Sequence, residues 1–250
     1  MRALVAVDLD NTVVFSRREP DGTLVEEAAP ELAELAAACD LVPVTTRTLE
    51  QYERLALPGP LPFAICANGA VLRTPDGVDP GWAGWARSVC AQAAPLAEVE
   101  GRLGVDAPWV RTWRVAAGSF LYVVAHSRES IPAGWLAELG PWLAGRGWSL
   151  SVQGRKVYAV PIGLTKAAAV ARLCDRLGGP SLLAAGDALL DAGLLELAAA
   201  SAGAVRPAHG ELHDRGWAHP GVAVTTASGP SAGAEVVRWL LARVHPDAPA

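Results

Sequence analysis

The chain has little lysine: of its 21 basic residues only Lys156 and Lys166 are lysines, and the others are arginines. Basic residues are also outnumbered, 21 against 26 acids in 250 residues, for a net charge of −5. Such a chain lacks the field of Lys and Arg that non-specific nucleic-acid binding needs, so no nucleic-acid partner is expected. Long apolar runs are missing too. No stretch of about 18 consecutive apolar residues occurs, and no membrane span is expected. Asp8 and Asp10 stand where a secretory signal would continue its apolar run. The four cysteines, Cys39, Cys66, Cys90 and Cys174, show no C-x-x-C spacing, and each lies among apolar neighbours. They read as reduced, buried small hydrophobes of a cytoplasmic protein.

What is present is an ordinary globular balance, 51% apolar and 19% charged, with strands and helices in alternation. Residues 3–7 form a short Val-rich run ending in carboxylates, which reads as a buried parallel strand feeding a loop. Pro30 opens a helix over 31–39. Strands are expected at 41–44 and 63–66, with a helix at 49–57 between them. Each of these three strands ends in polar residues, the pattern of a βαβ sheet whose ligands bind beyond the carboxyl ends of the strands. The texture then changes. Residues 75–159 hold seven of the nine tryptophans. They read as a helical region (81–103), two strands (109–115 and 119–125), a helix (132–143) and two more strands (148–152 and 156–160). The α/β rhythm returns with a helix at 166–177, a strand at 181–185, a helix at 189–200, strands at 204–205 and 222–224, and a helix at 232–244. The simplest architecture is a discontinuous α/β core with an α+β insertion.

Four segments carry chemistry. Asp8 and Asp10 are one residue apart at the end of the first strand. Two carboxylates there repel each other unless a cation, with hard Mg²⁺ the natural partner, neutralises them. Solvated loop aspartates, or the acidic cluster of a receiver-type signalling domain, remain open as alternatives. Asp187 and Asp191 are four apart at a later strand-to-helix turn, so both can address one loop, although acids at a helix start are also favoured by its dipole. Thr45-Thr46-Arg47 ends the second strand, in a place that also suits a turn with a helix cap. Lys166 follows Pro161-Ile162-Gly163-Leu164-Thr165, where a solvated helix-face lysine is the ordinary alternative.

Taken in order, these segments resemble the haloacid dehalogenase-like (HAD) phosphohydrolase superfamily. Asp8-Leu9-Asp10-Asn11-Thr12 matches its D-x-D-x-T motif, and Thr45 its second-strand Thr or Ser. Lys166 matches its lysine, and Gly186-Asp187 with Asp191 matches G-D-x-x-x-D. Thr45-Thr46-Arg47 resembles T-G-R with Thr46 in the glycine's place. Asn68-Gly69-Ala70 and Pro161–Lys166 resemble segments of the sugar-phosphatase branch. Thr12 and Thr45 are 33 residues apart, and about 120 separate Thr45 from Lys166, so the insertion follows the third strand. That placement resembles a type-two cap, and its element order the IIB subtype. Cof-like, sucrose-phosphate, trehalose-phosphate and mannosyl-phosphoglycerate phosphatases belong to that subtype.

The resemblance implies an α/β fold: a Rossmann-like parallel-sheet core at 1–74 and 160–250, with an α+β type-two (C2B) cap at 75–159. It implies a Mg²⁺-dependent phosphatase acting on a small phosphate monoester, with a sugar phosphate first. A nucleotide-like or ribosyl phosphate and a non-catalytic phospho-ligand sensor are the alternatives. By it Asp8 is the nucleophile and Asp10 the general acid and base. Asp8, Asp10, Asp187 and Asp191 hold the metal, with Asp10 doing so through its carbonyl while its carboxyl keeps a proton. Thr45 and Lys166 hold the phosphoryl group, and Thr12 braces the loop. Thr46, Arg47 and Asn68 are candidate substrate contacts, as are Arg111, Arg114 and Arg155 of the cap, with Lys156 near them. Leu190 departs from the Asn-Asp that ends the fourth motif in many IIB members. The tryptophans are expected mainly to fill the cap's interior. Whether the protein is a monomer or a dimer is left open.

Overall fold

The computed structural model of the protein describes residues 2–245 apart from 22, 60, 104 and 105. The chain begins with β1 (Leu4–Val7), a hairpin of β2 (Val14–Arg18) and β3 (Leu24–Ala28), α1 (Leu32–Ala38), β4 (Asp40–Pro43) and α2 (Leu49–Glu53). There follow β5 (Ala64–Cys66), β6 (Val71–Thr74), β7 (Gly77–Val78), α3 (Pro80–Cys90), α4 (Leu96–Leu103), β8 (Val110–Ala116), β9 (Phe120–Ala125), α5 (Ala133–Ala144), β10 (Trp148–Gln153) and β11 (Lys156–Pro161). The last part holds α6 (Lys166–Arg176), β12 (Leu182–Ala185), α7 (Ala192–Ala199), β13 (Gly203–Arg206), α8 (Glu211–Asp214), β14 (Val222–Val224) and α9 (Pro230–Val244).

A five-stranded sheet in the order β14-β13-β12-β1-β4 is parallel throughout. Its central strand shows why an unbroken apolar run was needed. Val5 and Val7 enter a cluster with Leu32 and Leu35 of α1 and Val236 and Val237 of α9. Leu4 and Ala6 point the other way, into a cluster with Val170 of α6 and Leu194 of α7. With both faces covered, alternation has no solvent side to mark. β1 and β12 lie side by side, in register Leu4 to Leu182 and Val7 to Ala185, so the loops after them emerge together.

The second sheet is antiparallel, in the order β10-β11-β9-β8. It packs with α4 and α5 around Val99, Leu103, Leu139, Leu143, Phe120 and the buried Trp148. This is the α+β cap expected from the sequence. Most of its tryptophans pack on that interior, and the Trp148 indole donates to the Ala94 carbonyl at 2.9 Å. Trp82 is different: it joins the core cluster and donates to the Gly69 carbonyl at 2.8 Å.

Four expectations need correction. The third strand does not extend the parallel sheet. β5 touches it through one bridge, Val44 to Ile65, and pairs antiparallel with β6. The meander β5-β6-β7 continues to Val78, beyond residue 74. The helical region 81–103 is two helices, broken before Pro95, where a helical conformation of the preceding residue is disfavoured. The hairpin β2–β3 was not expected at all. Its strands are mostly exposed and polar, held by pairs such as Arg17 with Glu27 at 2.8 Å, so no apolar period announces it. Of the four thiols, Cys39 and Cys66 are buried, while Cys90 and Cys174 are half-buried, and all four are free.

Candidate active site

The acids predicted from separate segments converge at the carboxyl ends of β1 and β12. Asp8 leaves β1 with its amide donating to the Ala185 carbonyl at 2.9 Å, which ties the two strand ends together. Carboxylate oxygens of Asp8, Asp187 and Asp191 lie within 4.8 Å of one another, and all three residues are buried. The Lys166 ammonium at the start of α6 donates to Asp8 Oδ1 at 2.6 Å and to Asp191 Oδ1 at 2.5 Å. Thr165 caps that helix by accepting from the Ala168 amide at 3.0 Å, which sets where the lysine starts. The buried Thr12 hydroxyl spans Asp8 and Asp187 at 3.4 and 3.5 Å.

Two glycines make room for this cluster. A Cβ at Gly186 would lie 2.5 Å from Asp191 Cγ. One at Gly210 would overlap the Asp187 carboxylate, and Gly210 has a left-handed φ of 85°. Asp191 is oriented by the Ala188 amide, which donates to its Oδ2 at 3.0 Å.

The electrostatics show what the cluster lacks. Burial, with Asp191 and Asp10 nearby, raises the Asp8 carboxyl to about 7 despite Lys166. Burial and the charges of Asp8 and Asp191 raise Asp187 to about 9. The same acids hold the Lys166 ammonium well above its ordinary value although burial opposes it. Three carboxylates share one lysine charge, so the cluster is short of positive charge. An all-oxygen donor set of this kind fits a hard divalent cation.

Asp10 is placed differently. Its carboxylate accepts from Arg47 Nε at 3.0 Å and from Arg47 Nη2 at 2.6 Å, and Arg47 also binds Glu26 of β3. Burial alone would raise the Asp10 carboxyl, but the hydrogen bonds and charge of Arg47 outweigh it and hold the carboxyl below its usual range. The expectation that Asp10 keeps its proton is therefore corrected for this arrangement: a bidentate guanidinium favours the carboxylate. It also occupies Arg47, expected as a substrate contact.

Thr45 is buried at the end of the second strand, with its hydroxyl accepting from the Arg47 amide at 3.1 Å. Asn68, at a left-handed φ of 55°, donates to the Leu164 carbonyl at 2.8 Å, while its Oδ1 is buried without a partner. Thr46 is half-buried beside Thr45 at the end of the second strand. Leu190 packs against the cap's apolar cluster, which accounts for an apolar residue there.

Among the described residues no ion pair joins Arg111, Arg114 or Arg155 to the acids. Arg111 and Arg114 are exposed on β8, the edge strand, and Arg155 lies in the β10–β11 turn. A cavity of about 380 Å³ opens instead between Asn11, Asp187 and Arg215 of the core and Arg128, Gln153 and Gly154 of the cap. Its rim is pinned by Glu211, whose Oε2 accepts from Ser151 of the cap at 3.1 Å and from the Leu189 amide at 3.0 Å. Sequence reasoning missed Glu26, Arg128 and Glu211, which lie outside every motif. Lys156 was marked by its rarity and by its place near the cap arginines as a possible anion contact.

No protein-family model and no curated protein matches the chain. Solved structures do. The sucrose-phosphatase of Synechocystis sp. PCC6803, solved with sucrose and phosphate, superposes with a TM-score of 0.71 at 19% identity, covering 96% of this chain and 98% of that one. A trehalose-6-phosphate phosphatase related protein gives 0.59 at 17% identity, over 98% and 100% of the two chains. A haloacid dehalogenase-like hydrolase from B. subtilis gives 0.56 at 18%, over 96% and 99%. A HAD subclass IIB sugar phosphatase gives 0.57 at 15%, over 89% and 93%. With both its parallel-sheet core and its inserted cap matched in this way, the chain has the fold of the haloacid dehalogenase-like hydrolases of subclass IIB.

Proposed function

We propose that the protein is a divalent-metal-dependent phosphohydrolase acting on a small phosphorylated metabolite, with a sugar phosphate as the substrate class. The observation that carries this reading is the buried convergence of Asp8, Asp187, Asp191 and Lys166 on two adjacent strand ends under a cap. Neighbours of the same fold that bear sucrose-phosphatase and sugar-phosphatase names support it.

In this reading the Asp8 carboxylate attacks phosphorus, the bond to the leaving oxygen breaks, and that oxygen takes a proton from Asp10. Water then attacks the aspartyl-phosphate while Asp10 takes back a proton, which releases inorganic phosphate and restores both acids. Lys166 and the Thr45 hydroxyl hold phosphoryl oxygens. Arg47 turns from Asp10 to the incoming phosphate dianion, and this frees the Asp10 carboxyl to be protonated. Asp8, Asp187 and Asp191, with the Asp10 carbonyl, are the residues that would hold Mg²⁺. A bound Mg²⁺ supplies the positive charge that keeps Asp8 ionised and screens the phosphoryl oxygens. Residues 75–159 act as the cap and 1–74 with 160–250 as the core. A cytoplasmic location agrees with free thiols, and among the described residues no helix is long and apolar enough to cross a membrane.

The test is phosphate release from p-nitrophenyl phosphate with Mg²⁺ and with chelator. Release that requires metal and disappears in Asp8→Asn is expected. No release from the wild type, or full activity in Asp8→Asn, overturns the reading. Burst binding without turnover favours a phospho-ligand sensor.

A further inference from the structure

The charges around the reaction centre pair off unevenly. Lys166 binds Asp8 and Asp191, Arg47 binds Asp10 and Glu26, and Arg215 binds Glu211. Lys156 and Arg128 of the cap, like Arg111, Arg114 and Arg155, have no carboxylate oxygen within 4.0 Å among the described residues.

Strand register shows where Lys156 faces, and a cavity lining shows where Arg128 lies. Residues directly opposite in an antiparallel pair share a face of the sheet. One row runs Ser151, Tyr158, Tyr122, Arg114 across β10, β11, β9 and β8. Two of them touch the core, Ser151 through Glu211 and Tyr122 through Gln51 Nε2 at 3.4 Å, with Tyr158 between them. That face is therefore the one turned to the acids. The next row along it runs Gln153, Lys156, Val124. The Lys156 ammonium lies beside the Tyr158 hydroxyl and within reach of the Asp10 charge, which together hold it above its ordinary value. Gln153 and Arg128 line the cavity that reaches Asp187. A roof of donors without a carboxylate partner thus covers the space where the leaving group must lie if the proposed chemistry holds.

We infer that this cap face selects a leaving group bearing a second anionic group, a carboxylate or a second phosphate, recognised by Lys156 and Arg128. Neutral sugar hydroxyls can accept hydrogen bonds from both side chains but leave their charge unmatched. A carboxylate or phosphate matches the charge and accepts the guanidinium's parallel N–H groups together. The inference rests on the phosphohydrolase reading and narrows its substrate class.

Matched substrates test it. With Mg²⁺ present, kcat/KM is compared for 6-phosphogluconate against glucose 6-phosphate, and for fructose 1,6-bisphosphate against fructose 6-phosphate. The first pair isolates a carboxylate and the second a second phosphate. At least one ratio is expected to exceed about tenfold in the wild type, the equivalent of one charged contact. In Lys156→Gln and Arg128→Gln that ratio falls toward one, mainly through KM, and Lys156→Arg restores it. Ratios at or below one in both pairs, or ratios unchanged in both Gln variants, overturn the inference while the phosphatase reading stands. Failure of the wild type to hydrolyse any of the four, or p-nitrophenyl phosphate, overturns the phosphatase reading and the inference with it.

Discussion

At the scale of the residue, the site is organised by which carboxylate each cation serves. Lys166 spans Asp8 and Asp191, and Arg47 grips Asp10 through two N–H groups. The consequence is an inverted pair: the intended nucleophile, Asp8, is pushed up to about 7, whereas the intended acid, Asp10, is held low. Substrate and metal must reverse this order for the proposed reaction to run. Arg47→Ala is predicted to lower kcat, because a phosphate contact is lost. It should also move the alkaline limb of the kcat/KM profile to higher pH, because removing the guanidinium raises the Asp10 carboxyl and lets it hold its proton longer. A limb that stays in place would show that Arg47 does not govern Asp10.

At the scale of the element, the strand ends do the positioning, and here the sequence was most legible. Asp8, Thr45, Asp187 and Lys166 belong to short segments whose motif order carried the resemblance, and each sits where a buried strand or capped helix must deliver it. Contacts made by pairing were not legible. Glu26 lies on a polar hairpin with no periodic signal, and Arg128 lies in a loop with no motif. The direction of the cap face became readable only from the register that sets Tyr158 opposite Tyr122. The same register sets Arg114, on the edge strand, opposite Tyr122 and so on the core-facing side, although its side chain is exposed. Tight turns carry equal weight at this scale. Gly186→Ala is predicted to push Asp191 aside, since a Cβ would lie 2.5 Å from its Cγ. The expected result is a loss of Mg²⁺-dependent activity of about 10²-fold or more, as misplacement of a positioned group by about 1 Å brings. Activity within twofold of the wild type would mean the turn relaxes without cost.

At the scale of the whole molecule, core and cap close over acids that are unhappy without a cation, so stability, pH and metal should be linked. Asp8 and Asp187 have folded values near 7 and 9 against an ordinary 3.8. For raised values the sign is fixed: their contribution to stability is fully present below about pH 3.8 and is lost as pH rises through 7 and then 9. The metal-free protein should therefore melt at lower temperature at pH 8 than at pH 5. Mg²⁺ should raise the melting temperature more at pH 8, where both carboxylates must ionise to bind it. Asp187→Asn should flatten the pH dependence and weaken the Mg²⁺ response together. A Mg²⁺ effect equal at both pH values, or unchanged in Asp187→Asn, would place the metal elsewhere.

The central claim is that phosphorus is transferred to Asp8 itself, and this can be read directly. Wild-type protein with Mg²⁺ and p-nitrophenyl phosphate is acid-quenched during turnover, digested and mapped by mass spectrometry. The account predicts a phosphoryl group on the Asp8 carboxylate, labile to hydroxylamine and missing from Asp8→Asn. Steady phosphate release with no phosphoprotein, or with the phosphoryl group on another residue, would contradict it.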